Sequence, residues 1–82
     1  MNKKIAVIGI IVENIDSVDS LNRLLHNYGD VIIGRLGIPY KEKNINVISV
    51  ALDAEESVIS ELSQKISELN GVTSNVAVSS ER

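Results

Sequence analysis

The chain has 82 residues, a length that bounds it to one folded unit. Hydrophobic residues make up 44% and charged residues 23%, so a core can form without disulfides or metal. The lack of Cys excludes disulfide, thiol and cysteine–metal chemistry, the single His excludes a histidine cluster, and a net charge of -3 argues against broad nucleic-acid binding.

With two tyrosines and no Phe or Trp, the core must be aliphatic. Ile5 to Val12 (IAVIGIIV) is the longest apolar run, too short to cross a bilayer. Lys3 and Lys4 precede it as in a signal peptide. Its β-branched residues and the closing Glu13 favour a strand apolar on both faces, and the chain reads as cytoplasmic. Asn14 to Ser17 supplies a turn, with Asp16 or Ser17 as N-cap. Val18, Leu21, Leu24, Leu25 and Tyr28 then fall on one helical stripe, which Gly29 ends as a C′ residue. Asp30 to Leu36 is a second strand broken by Gly34, and Gly37 to Asn44 (GIPYKEKN) is expected as a loop.

Ile45 to Leu52 is a third strand, again apolar on both faces. Asp53 and Glu56 then resemble a capping box. Val58, Ile59, Leu62, Ile66 and Leu69 line a second helix that Asn70-Gly71 ends. Val72 to Ser79 alternates as a fourth strand, and Ser80 to Arg82 is expected to fray.

The order β-α-β-β-α-β carries an internal echo: Ile5, Val7, Ile8 and Ile10 align at offset 40 with Ile45, Val47, Ile48 and Val50. A doubled βαβ with right-handed crossovers gives an α+β ferredoxin-like sandwich over residues 1–82. Its four-stranded antiparallel sheet has the order 4-1-3-2, with two helices on one face. Strands one and three are then central. One of the sets Ala6/Ile8/Ile10/Val12 and Ile5/Val7/Ile11 must point away from the helices, and likewise Ile48/Val50/Leu52 or Ile45/Val47. An uncovered apolar face predicts a homodimer or higher homo-oligomer, in contact through sheet faces or edges.

The residues that could carry chemistry form no catalytic constellation. His26 lies late in the first helix, a position favourable to the dipole when the ring is protonated. Asp16, Asp19, Glu55 and Glu56 suit helix first turns, and Glu61 with Lys65 is an i,i+4 surface pair. No nucleophile stands beside a base, and no cofactor or metal site is expected. Gly9, inside a strand, suggests a bulge or a close backbone approach. The segment Arg35 to Lys43 concentrates polar handles, with Arg35, Tyr40 and Lys41 the candidate recognition residues. An ordinary charged hairpin has the same composition.

IGIIVE (Ile8 to Glu13), LHNYG (Leu25 to Gly29) and above all GRLGIPYKEKNINVISV (Gly34 to Val50) give the chain its family resemblance. It resembles the small proteins grouped as candidate regulators of the iron-only hydrogenase system. That family is similar to ACT domains and to the C-terminal domain of nickel-responsive repressors. The resemblance implies an anaerobic bacterial cytoplasm and a non-enzymatic regulatory or ligand-sensing role.

It departs from the nickel repressors in two ways: with about four residues before the first strand, no ribbon–helix–helix arm is expected, and one His with no Cys falls short of their several His and a Cys. An ACT-type amino-acid site would lie at Glu13 to Asp16, where this chain has no Gly. The expected partners are a second copy, a small ligand or a regulatory protein. DNA is not expected without a separate DNA-binding chain, nor is a membrane. Transcription regulation by direct DNA contact, through Lys3, Lys4, Arg35, Lys41 and Lys43, is the rival reading, and a small ferredoxin-like enzyme the third.

Overall fold

A computed structural model describes residues 2–79; the expected frayed tail, Ser80 to Arg82, lies outside them. The strands are β1 (Lys3–Val12), β2 (Ile32–Tyr40), β3 (Ile45–Glu55) and β4 (Val72–Val78). The helices are α1 (Val18–Asn27), preceded by a 3₁₀ turn over Ile15–Ser17, and α2 (Glu56–Ser67). The sheet order is β2-β3-β1-β4, with every pairing antiparallel. This is the 4-1-3-2 order read from the other edge, so the expected ferredoxin-like sandwich is the observed fold.

The helices cover one parity of the central strands. Ala6, Ile8, Ile10 and Val12 of β1 and Ile48, Val50, Leu52 and Ala54 of β3 are buried against Leu21 and Leu25 of α1 and Ile59, Leu62 and Ile66 of α2. Val18, Leu24, Tyr28, Val58 and Leu69 pack around this core, so both helical stripes lie where their spacing placed them.

Four local expectations are corrected. The segment Gly37 to Tyr40 is strand, not loop: Gly37, Ile38, Pro39 and Tyr40 pair with Ile48, Val47, Asn46 and Ile45. Pro39 is tolerated because β2 is an edge strand. The connection shrinks to Lys41–Asn44, where Asn44 takes a φ of +56°. Gly34 does not break β2; the register shifts between Ile32 and Gly34, leaving Ile33 as the extra residue of a bulge. Asp53 makes no capping box. It remains in β3 opposite Ile5, its N–H donates to the Val31 carbonyl (2.9 Å), and Glu55 is the N-cap, without a side-chain cap bond. Gly9 is neither bulge nor close approach: β1 keeps its register through it, and a Cβ there would meet nothing within 4 Å.

The turns before α1 and after α2 lock together. Asn14 Oδ1 accepts the Asp16 N–H (3.0 Å) and so caps the 3₁₀ turn. The Ser17 hydroxyl, rather than capping α1, donates to the Asn70 carbonyl (2.6 Å), and the Glu13 N–H donates to the Gly71 carbonyl (2.8 Å). Gly71 has a φ of +69°, and a Cβ there would come within 2.5 Å of Asn14 Cβ. Conformation and space both demand glycine here. Gly29 also follows its helix, but of the described glycines Gly71 is the one with positive φ.

Candidate functional site

Directly paired residues of antiparallel strands share a face, so the register assigns every side chain to a side of the sheet. The face away from the helices carries four rows. From one end they are Tyr40–Ile45, Ile38–Val47–Ile11–Thr73, Leu36–Ser49–Gly9–Asn75 and Gly34–Ala51–Val7–Ala77. Ile5, opposite Asp53, extends the patch at the far end. Ile5 (45%), Val7 (42%), Ile11 (42%), Val47 (37%), Leu36 (61%), Ile38 (49%) and Tyr40 (44%) are thus large apolar side chains exposed on one face. No residue of those four rows is charged. The sets left open by the sequence are thereby resolved: Ile5/Val7/Ile11 and Ile45/Val47 point away from the helices.

The candidate recognition residues are divided. Arg35 pairs with buried Val50 and so lies on the helix side, where its Nη2 donates to Asn22 Oδ1 of α1 (2.9 Å). Tyr40 lies on the open side, and its hydroxyl donates to Glu42 Oε1 (2.9 Å). Lys41 begins the hairpin turn, and its carbonyl accepts the Asn44 N–H (3.2 Å). Tyr40 and Lys41 come together with Ile15, Pro39 and Asn44 around a hollow of about 190 Å³ at the end of the sheet; Arg35 does not reach it. A larger hollow of about 340 Å³ lies at the middle of the open face, over Gly9. Sequence reasoning passed over this one, and the signal that could have found it is a lone Gly in a strand otherwise apolar on both faces.

Among the described residues the basic side chains do not gather within one chain. Lys3 and Lys4 stand at the β1 end that pairs with Glu55 and Ala54. Lys41 and Lys43 sit in the hairpin turn at the opposite end of a body 41 Å long. Lys4 also pairs with Glu56 (3.5 Å). On the outer helix surface, Lys65 lies over the Tyr28 ring, 5.5 Å from its centroid, and 4.0 Å from Glu61, which accepts the Tyr28 hydroxyl (2.9 Å). The hydrogen bond and charge of Tyr28, with Glu61 adding to them, raise the Lys65 ammonium above its ordinary pKa of 10.5. Among the described residues no three acidic, His or Cys side chains group as metal ligands, and no helix is long and apolar enough to cross a membrane.

Comparison with known proteins gives concordant results. A solved structure, "The structure of uncharacterized protein TM1266 from Thermotoga maritima", superposes with a TM-score of 0.90 at 28% identity, covering 94% of this chain and 98% of that one. A formyltetrahydrofolate deformylase from Pseudomonas putida KT2440 matches at TM-score 0.65 and 11% identity, over 95% of this chain and 30% of that one. The de novo designed protein Foldit4 matches at TM-score 0.60 and 15% identity, over 99% and 100%. The last two share the fold alone. No curated protein matches the sequence. A family model matches residues 4–76. With nearly the whole chain matched, it belongs to the TM1266-like family, described as "Iron-only hydrogenase system regulator, putative".

Proposed function

We propose that this chain is a non-enzymatic, cytoplasmic regulatory domain of the iron-only hydrogenase system. It works as a homo-oligomer and signals by protein–protein contact or small-ligand binding. The family description supplies the system. The uncovered apolar face of β1 and β3 carries the oligomeric part.

A second copy suits this face for three reasons. Its four rows are uncharged, so two copies do not repel each other. Four strands about 4.8 Å apart and seven residues at about 3.3 Å give a footprint on the order of 450 Å². With side-chain relief added, it approaches the about 800 Å² per partner of stable interfaces. The alternative contact through the β2 edge meets a bulge at Ile33 and a proline at position 39, both of which blunt edge pairing. Faces are therefore favoured over that edge.

Native mass spectrometry of the protein purified from its own host tests the reading. A mass at a multiple of the chain, reduced to one chain by Ile11→Lys with loss of hydrogenase regulation, is the expected result. A monomeric wild type, or an Ile11→Lys monomer that regulates normally, overturns it.

A further inference from the structure

The row Leu36–Ser49–Gly9–Asn75 crosses the middle of the open face. Gly9 contributes no side chain to it, and the hollow above is walled by Ile11 and Val47, with Ser49, Thr73 and Asn75 around them. These three side chains are uncharged, and none is committed to a hydrogen bond within the described chain. Gly9 and Ser49 are cross-strand partners and also the offset-40 pair of the internal echo. The pseudo-two-fold relating the two halves therefore passes through the sheet at this point.

We infer that in the face-to-face dimer the two hollows close into one buried chamber. The chamber takes a small uncharged ligand, mostly apolar, with one or two hydroxyl, carbonyl or amide groups. The inference rests on the dimer proposed above.

A face-to-face two-fold lies between the sheets, and burying most of the apolar patch sets it over the patch's middle. Packed sheets stand about 10 Å apart, a gap that interdigitating side chains fill. Opposed Gly9 residues offer nothing to fill it, and Ser49 beside them is short. The hollow of about 340 Å³ in one copy lies at the size where small-molecule sites begin. Its walls satisfy apolar surface, while Thr73 and Asn75 offer a hydroxyl and an amide. With no ionisable group in the lining, a charged ligand would be buried without a partner, so the chamber selects against ions.

The test uses the full chain, with benzyl alcohol as probe and benzoate as its charged counterpart. Binding is followed by NMR shifts of the Gly9 and Asn75 amides and assembly by sedimentation. Saturable shifts with benzyl alcohol, at least tenfold weaker binding of benzoate, and loss of binding in a Gly9→Val protein that remains dimeric are expected. Asn75→Ala, which adds no bulk, should weaken benzyl alcohol severalfold while the dimer persists; it supplies the test if Gly9→Val does not fold. A dimer that binds neither probe saturably overturns the chamber and leaves the dimer standing. Dissociation by Gly9→Val also overturns it, because a partner side chain then fills the hollow. A monomeric wild type overturns both readings.

Discussion

The two faces of the central strands both carry β-branched residues and meet different fates. On β1, Ile8 and Ile10 are sealed under the helices at 0% and 1% exposure, while Val7 and Ile11, one residue away, are each 42% exposed. On β3, Val50 is buried and Val47 is not. A strand apolar on both sides asks for two covering layers, and the described residues supply one. The helix face reports how the chain folds; the open face reports what the folded chain can still bury.

This contrast is most sharply tested by truncation under the helices. Leu62→Ala, at a fully buried position, should cost about 2–5 kcal/mol, read as a lowered Tm or denaturant midpoint. Leu24→Ala, at a half-buried position, should cost less, and Ser63→Ala, off the apolar stripe, should change little. Equal losses at all three would erase the distinction between stripe and surface. Next comes Gly71→Ala, which meets both a left-handed backbone and the Asn14 side chain. A loss of at least about 1–2 kcal/mol is expected from the conformation alone.

On the open face, Val7→Lys should leave the monomer's fold nearly unchanged and abolish self-association. If wild-type melting then depends on protein concentration while that of the variant does not, the faces differ as proposed. A Val7→Lys protein that unfolds would mean the open face is part of the core.

The candidate recognition residues give smaller effects. Arg35→Ala removes one exposed hydrogen bond to Asn22 and should cost about 0.5–1.5 kcal/mol or less without altering oligomer size. Tyr40→Ala, on the open face, should weaken the oligomer instead. Lost regulation in Arg35→Ala at unchanged Tm and size would assign Arg35 to recognition; equal dissociation by both would contradict their placement on opposite faces.

The smallest effect is that of pH. Because the folded-state pKa of Lys65 is raised, its contribution is complete below the unfolded value and is lost as pH climbs through the folded one, above about 10.5. Lys65→Met should remove that alkaline slope and leave stability at neutral pH nearly unchanged, as expected of a solvent-exposed pair.

What the sequence by itself determined is the material with local periodicity. Leu21 and Leu25, and Leu62 and Ile66, recur at helical spacing; the β-branched runs of β1 and β3 and the offset-40 echo imply a doubled βαβ unit. The sheet order followed from crossover handedness, a property of chirality rather than of particular residues. Only the tertiary structure decided the rest, because the deciding partners are distant in the chain.

Gly37 to Tyr40 reads as loop from its Gly and Pro, and becomes strand because β3 lies alongside to pair with it. Asp53 reads as a cap and stays extended because Ile5 and Val31 engage its backbone. Arg35 and Tyr40 are odd–even neighbours on β2, so pairing to Val50 and to Ile45 sends them to opposite sides of the sheet. Gly9 is a glycine within an apolar strand in the sequence. Ser49 and Asn75, brought beside it by β3 and β4, make it the floor of a hollow.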